Sequence, residues 1–331
     1  MFVKEQNMQR RLFDYLIITF KGMAMGAADV VPGVSGGTIA FISGIYEELI
    51  GSIDKINLSS LKIWKRSGFK AMWSDINGNF LLALVIGIAI SIFSLARFIS
   101  WLLDTHPIAV WSFFFGLVIA SIYFIGKQIS RWSARVITAT LLGVIVSYYV
   151  TIAHPVSSPD GYLYLFLSGF VAIIAMILPG ISGAFILLLM GSYEIVINTI
   201  NQLREGIFRA DMQLLEQAFT KLAAFGIGAI LGLKLFSGVL NWMFKHYKNT
   251  TLALLTGFMV GSLNKIWPWK ETLSWRVNSH NEQVPVLQRS ISPFRFEGDS
   301  QVILACLVAI AGFLTIYLLE KIAVKAQKTN E

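Results

Sequence analysis

The amino-acid sequence predicts an all-α integral membrane protein built from two inverted-topology repeats, each a re-entrant helical hairpin followed by three transmembrane helices. The 331-residue chain is 55% hydrophobic and 14% charged, and a soluble domain could not bury so large an apolar fraction. A Pro-Gly-x-Ser-Gly motif occurs twice, 147 residues apart, and further positions after it match at the same offset. Three spans per repeat is an odd number, so the second repeat begins on the opposite face of the membrane.

The first repeat, residues 1–153, begins with a hairpin over 12–52. This apolar segment is interrupted in its middle by Pro32 and Gly33. A helix needs about 20 apolar residues to cross the hydrocarbon core, and each half of the segment is short for that. Backbone released by such a break must be buried in protein or line a wet cavity. We therefore predict that the hairpin returns to its own side of the membrane.

Three apolar runs complete the first repeat, at 79–103, 107–126 and 134–153. Each is long enough to span the membrane. Between the hairpin and the first of them, residues 53–75 combine tryptophans with cations. This combination predicts a helix on the cytoplasmic interface, and an ordinary loop is the alternative.

The second repeat, residues 154–331, follows the same order. Its hairpin over 162–200 is interrupted at Pro179 and Gly180, and its spans are predicted at 220–244, 250–267 and 300–320. Residues 201–219 are the expected external counterpart of 53–75, and the polar stretch 268–299 is expected to form an external loop. The spans also match at an offset of 141, which aligns Ile86, Gly87, Trp101, Gly116 and Ser121 with Ile227, Gly228, Trp242, Gly257 and Ser262.

The distribution of lysine and arginine sets the orientation. These residues concentrate in the segments that this topology places inside, whereas the short outer connections at 104–106 and 154–161 contain none. Both termini are therefore predicted to be cytoplasmic, in a multi-pass membrane protein. Lys265 lies near a span end and is expected to reach the outer surface.

The two breaks predict an anion site. Inverted repeats with broken helices at mid-membrane are the usual construction of secondary transporters, and the N-termini of half-helices favour negative charge. Tight helix packing through small residues is the alternative reading of the glycines. The predicted phosphate contacts at the breaks, which bind and do not attack, are Ser35, Gly36, Gly37, Thr38, Ser182 and Gly183.

Two cations inside apolar runs extend this prediction. Arg97 and Lys234 lie on equivalent spans, where a charge costs roughly 2.5–3.5 kcal/mol unless it is paired or hydrated. We expect both to bind the anion, and the alternative is a structural pairing with Glu47 or Glu194. Asp29, Glu47 and Glu194 are also the candidate carriers of a proton or a sodium ion, or the partners of these cations.

Several function classes are excluded or disfavoured. The single cysteine, Cys306, and the four scattered histidines offer no disulfide and no metal cluster. No cofactor is expected, because the sequence has no G-x-x-x-x-G-K-[ST] motif. The net charge of +8 comes from cations beside apolar runs, which suits lipid head groups and not nucleic acid. Gly33 to Gly37 fits G-x-S-x-G, but without the strand of a nucleophile elbow, so an intramembrane hydrolase is the weakest alternative and the protein is not expected to be an enzyme.

The paired hairpins resemble the PopT family, the polyprenyl-phosphate translocases of bacteria and archaea. The resemblance runs from about Phe20 to Leu319 and is carried by residues 26–38, Gly-Ala-Ala-Asp-Val-Val-Pro-Gly-Val-Ser-Gly-Gly-Thr, with the second copy and the stretches Gly44-Ile45-Tyr46-Glu47 and Gly191-Ser192-Tyr193-Glu194. The second copy lacks the aspartate and has Ala184 in place of the second glycine of the pair.

The resemblance implies a flippase that returns undecaprenyl phosphate from the outer to the cytoplasmic leaflet for reuse in peptidoglycan and other envelope polymers. The residues alone leave open a transporter or channel for a small soluble anion. An opening toward the lipid between spans would favour the lipid, and a sealed central pore would favour the soluble anion. The coupling ion and the oligomeric state, a homo-oligomer included, are left open by the sequence.

Overall fold

The computed structural model describes residues 10–31, 34–156, 158–159, 161–277 and 283–329. Pro32 and Gly33, the predicted break of the first hairpin, lie outside the described residues. Within the described part, the chain is mostly helical, with a single two-stranded sheet. The prediction of a mostly helical membrane protein is confirmed.

The first hairpin consists of one long helix and two short ones. Helix α1 spans Leu12–Val30, α2 spans Gly36–Ile42 and α3 spans Tyr46–Lys55. Gly44, with φ +73°, makes the turn between α2 and α3, a conformation that glycine adopts without steric cost. Helix α4, Leu58–Asp75, follows the side-chain cap of Asn57 and is kinked at Gly68, so the segment predicted to lie on the interface is a helix.

The remaining helices follow the predicted order. They are α5 Gly78–Thr105, α6 Pro107–Gly126, α7 Ala134–Ile152, α8 Tyr162–Ile177, α9 Gly183–Leu189, α10 Tyr193–Arg209, α11 Met212–Ser262 and α12 Val302–Thr329. Helix α11 contains two predicted spans, and its helical path is interrupted at Tyr247 (φ −137°, ψ 46°). In place of a loop, the two spans are therefore joined by a kink.

Four described helices, α5, α6, α7 and α11, are long and apolar enough to cross a membrane. The bent pair α9 and α10, which meet at 107°, is a further candidate as a broken span or a re-entrant segment. Helix α8 and the apolar part of α12, Val302–Leu318, are shorter. The six full spans of the prediction are thus represented by four long helices, of which α11 supplies two, and by the shorter α12.

A β-hairpin occupies the segment that was predicted to be an external loop. Strand β1, Lys270–Val277, pairs antiparallel with β2, Gln283–Ser290. The loop prediction was wrong here because it weighed polarity and proline content alone. The segment also carries Thr272, Trp275 and Val277, residue types that favour a pleated, half-exposed strand.

Some helix bounds and close glycine contacts recur in the two halves of the chain. Helices α2 and α9 begin and end at positions 147 apart, and α3 and α10 begin 147 apart. Close helix packing repeats as well, because a Cβ on Gly22 would meet the carbonyl oxygen of Leu84, and a Cβ on the equivalent Gly169 would meet that of Phe225. Glycine at such a contact lets two helix backbones approach closely.

Helices of the two halves also pack against each other in mixed pairs. Helix α6 packs on α12, where Gly116 lies against the carbonyl of Ala309. In the matching contact, Gly257 in the last part of α11 lies against the carbonyl of Thr140 in α7. Each half therefore contributes one helix to each of two similar pairs, and the two hairpins share the core that these pairs enclose.

Candidate functional site

Residues that follow the first hairpin break contact the second break in the core. The Ser35 hydroxyl donates to the Met176 carbonyl oxygen at 3.0 Å, and the Tyr46 hydroxyl donates to that of Ile177 at 3.1 Å. In return, the backbone N–H of Gly180 donates to Thr38 Oγ1 at 2.9 Å. The last carbonyls of a helix have no partner within it, so the first hairpin completes the hydrogen bonding of α8. We call this set of contacts the hairpin crossing.

The N-terminus of α2 already has acceptors from the protein itself. The N–H of Gly36 donates to Asp29 Oδ1 at 2.6 Å, and the N–H of Gly37 donates to Ser35 Oγ at 3.1 Å. These are two of the N–H groups that a helix start leaves unpaired. The predicted phosphate contacts at residues 35–38 are therefore in competition with a carboxylate and a hydroxyl. The side chain of Asp29 is otherwise exposed.

Steric fit gives the glycines of the first break a packing role. A Cβ on Gly36 would lie 2.6 Å from the carboxylate of Asp29. A Cβ on Gly37 would lie 2.9 Å from the Met176 carbonyl oxygen. The alternative that the sequence left open, close packing through small residues, is realised at these two positions.

The second break has a different environment. Pro179 is fully buried, and Gly180 adopts φ +87° beside the hydroxyl of Ser262. Ser182 precedes α9 but makes no side-chain capping hydrogen bond, whereas Ser35 does cap α2. At the 147 offset the position of Asp29 is taken by Met176, so no equivalent carboxylate reaches Gly183.

Lys234 forms an ion pair that the sequence did not suggest. Its ammonium donates to Asp54 Oδ1 at 3.1 Å and also to the backbone carbonyl of Asp54. Asn241 donates to the other carboxylate oxygen at 2.8 Å. The alternative prediction that Lys234 pairs with Glu47 is wrong, because the carboxylate of Glu47 accepts a hydrogen bond from Lys248 at 2.6 Å. The pair with Asp54 joins α3 of the first hairpin to α11 of the second repeat.

Arg97 and Lys234 occupy dissimilar surroundings. Arg97 is exposed on α5, whereas Lys234 is held by Asp54. Gly238, the position aligned with Arg97, would place a Cβ 3.2 Å from Asp54 Oδ1. The carboxylate of Asp54 thus lies next to position 238, the one that aligns with Arg97. The cation in this region is Lys234, one helical turn from Gly238.

Two lysines, Lys265 and Lys270, interact electrostatically, and Lys265 contacts the short helix that follows the second break. The Lys265 ammonium is 3.9 Å from the centroid of the Phe185 ring in α9, and that of Lys270 is 3.1 Å from the centroid of the Trp111 ring in α6. Burial lowers the pKa of Lys265 to about 8. Burial, and then repulsion by Lys265, lowers the pKa of Lys270 well below its ordinary value.

The ammonium of Lys270 is inaccessible to solvent and has no hydrogen-bond acceptor among the described residues. The ammonium of Lys265 contacts the ring of Phe185 and its side chain is partly exposed, so the expectation that Lys265 reaches the outer surface stays a prediction. A signal was present in the sequence: residues 265–270, Lys-Ile-Trp-Pro-Trp-Lys, place two cations among aromatic residues directly after a span.

Fold and site together define a helical membrane protein whose two broken hairpins cross in the core, with cations and carboxylates at the breaks. The chain belongs to the undecaprenyl phosphate translocase-like family, whose model matches residues 25–284. A protein of Vibrio cholerae serotype O1 named polyprenyl-phosphate transporter is 48% identical over 322 residues, which cover 96% of this chain and 100% of that one. A Staphylococcus aureus protein of the same name is 32% identical over 261 residues, 75% of this chain and 84% of that one. No solved structure matches.

Proposed function

We propose that this protein moves polyprenyl phosphate from the outer to the cytoplasmic leaflet of the plasma membrane, where the lipid is reused in envelope synthesis. The names of the two relatives support the substrate class. The observation that carries the proposal is the hairpin crossing, in which two broken helices share hydrogen bonds inside the core. Broken helices of this kind line substrate sites in transporters with inverted repeats.

The proposed topology has two inverted repeats, 1–153 and 154–331, with both termini in the cytoplasm and each hairpin returning to its own side. The repeated helix bounds and the repeated glycine contacts support the repeat, and the odd number of spans in each half supports the inversion. In this arrangement the mixed helix pairs would rock about the hairpin crossing. The phosphate alone would need shielding from hydrocarbon, while the isoprenoid tail stays in the lipid.

The proposed phosphate contacts remain Arg97, Lys234 and the break residues of both hairpins. At the first break a phosphate would have to displace Asp29 from the N–H of Gly36, because two anions at one helix end repel each other. Loss of the negative charge of Asp29, by protonation, would therefore accompany binding there. This makes Asp29 our first candidate for coupling to a proton. Glu47 and Glu194 are the other candidates, and for Glu47 a proton would have to weaken its ion pair with Lys248.

Transport in purified form tests the proposal. The full-length protein is reconstituted in liposomes that contain labelled undecaprenyl phosphate in one leaflet, and the accessible head group is measured with time. We expect the lipid to change leaflet faster than in protein-free liposomes, without any covalent change to it. An unchanged rate would reject the flippase. Uptake of inorganic phosphate without movement of the lipid would instead support a transporter of a small anion, and release of phosphate from the lipid would support a hydrolase.

A further inference from the structure

The lysine pair, Lys265 and Lys270, places two ammonium groups against aromatic rings, and that of Lys270 has no acceptor among the described residues. Each ammonium rests on an aromatic ring, that of Phe185 or Trp111. A ring face attracts a cation, but it offers no hydrogen-bond acceptor of ordinary strength, and two adjacent cations repel each other. Lysine is strongly hydrated, so an anion that accepts hydrogen bonds from both ammonium groups would replace the water that burial removes.

The position of the lysine pair connects it to the hairpin crossing. Lys265 follows Ser262 by one turn of chain, and Ser262 lies against Gly180 in the second break. Phe185 belongs to α9, the short helix that starts directly after that break. An anion held by the two lysines would therefore lie next to the break that has no carboxylate of its own.

We propose that Lys265 and Lys270 bind the phosphate monoester of polyprenyl phosphate between them, as the site where the head group first enters the protein from the outer leaflet. A phosphate monoester carries up to two negative charges and three acceptor oxygens, which suits two ammonium groups better than a carboxylate does. This inference rests on the proposed function. It adds a binding site on the side of the β-hairpin, at residues that the predicted contacts Arg97 and Lys234 do not include.

The first experiment measures protection of Lys265, whose side chain is partly exposed, in the wild-type protein. Full-length protein in nanodiscs is treated with an amine-acylating reagent, and modification at Lys265 is quantified by mass spectrometry. We expect undecaprenyl phosphate to protect Lys265, and undecaprenol, which has the same tail without phosphate, to leave it reactive. Equal protection by undecaprenol would overturn the inference. Protection by inorganic phosphate at the concentration that the lipid needs would assign the site to free phosphate and reject the lipid.

The second experiment uses variants. Lys265→Gln and Lys270→Gln should each weaken lipid-phosphate binding by at least about tenfold, as expected for losing one hydrogen bond between charged groups. Lys265→Arg, which keeps the charge, should retain most of the affinity. The matched control is Arg295→Gln, which removes an exposed cation from the loop after β2 and should bind like the wild type.

The outcomes separate this inference from the proposed function. If the wild type transports lipid and the glutamine variants bind and transport it equally well, the lysine pair is not the site, while the flippase stands. If the wild type fails to transport but still shows phosphate-dependent protection, the flippase fails and the binding site stands. Should the variants fail to fold, the protection experiment on the wild type decides alone.

Discussion

The ion pair between Lys234 and Asp54 allows stability and transport to be tested separately. We consider Lys234→Met, Asp54→Asn and the double variant that combines them. The two side chains are 33% and 31% exposed. Exposed pairs contribute about 0–1 kcal/mol, whereas removing one partner of a buried pair costs about 3–5 kcal/mol. For a pair between these limits, we expect each single variant to lose about 2 kcal/mol of stability.

The double variant should recover most of that loss, because it leaves no unpaired charge. The asparagine can also keep a hydrogen bond to Asn241, which donates to Asp54 at 2.8 Å. Thermal unfolding of purified protein measures this recovery, and proteoliposome transport is measured on the same samples. Lys65→Met is the control, since Lys65 is exposed on α4 and should leave both quantities near the wild-type values.

If Lys234 also binds the phosphate, stability and transport will respond differently in the double variant. We expect stability to return while transport stays low, since the double variant has no ammonium to offer the lipid. Recovery of transport along with stability would refute a phosphate contact at Lys234 and leave a purely structural pair. Single variants that unfold at the wild-type temperature would refute the energetic reasoning itself.

Three further predictions concern packing, pH and topology. Gly37→Ala should destabilise the protein, since its Cβ would meet the carbonyls of α8, whereas Gly226→Ala, with no atom near the added Cβ, should stabilise a helix by up to about 1 kcal/mol; thermal unfolding compares them. Lys265, with its pKa lowered to about 8, is neutral in the folded protein and charged in the unfolded chain between about pH 8 and its ordinary pKa. Lipid-free stability should therefore rise with pH across that window, and lipid-phosphate binding should fall. Lys265→Gln should weaken both effects without abolishing them, because the pKa of Lys270 is lowered as well. Lys62→Cys and Arg209→Cys are made singly in a chain without Cys306, and intact cells are treated with a thiol reagent that does not cross the membrane. The cysteine at position 209 should be labelled and the one at position 62 should not; labelling of both would falsify the inverted repeat.

The second hairpin and the spans could be predicted from the sequence, because the motif and the apolar runs that mark them are visible in it. The offset between the two Pro-Gly-x-Ser-Gly motifs predicted a second hairpin, and α2 and α9 have matching bounds. Apolar runs located the spans, because length and hydropathy determine what can cross a bilayer. The same runs placed a boundary between two spans at 245–249, where α11 kinks at Tyr247. That the helix continues through this boundary without a loop was not predicted.

The partners of the charged residues could not be predicted, because they depend on how separate helices pack. Asp54 falls in the segment 53–75, which was predicted to lie on the cytoplasmic interface, and it pairs with Lys234, 180 residues away in the chain. Asp29 was a candidate ion carrier, and the structure additionally places its carboxylate on the N–H of Gly36. Both contacts place a carboxylate from the first hairpin where an anionic substrate was expected.

Phosphate binding at those positions would therefore proceed by exchange, in which the lipid replaces an internal anion. The lysine pair, in contrast, has no acceptor among the described residues that the lipid would have to replace. This difference in cost is our physical reason to place the first contact of the phosphate at Lys265 and Lys270, and the later contacts at the hairpin crossing.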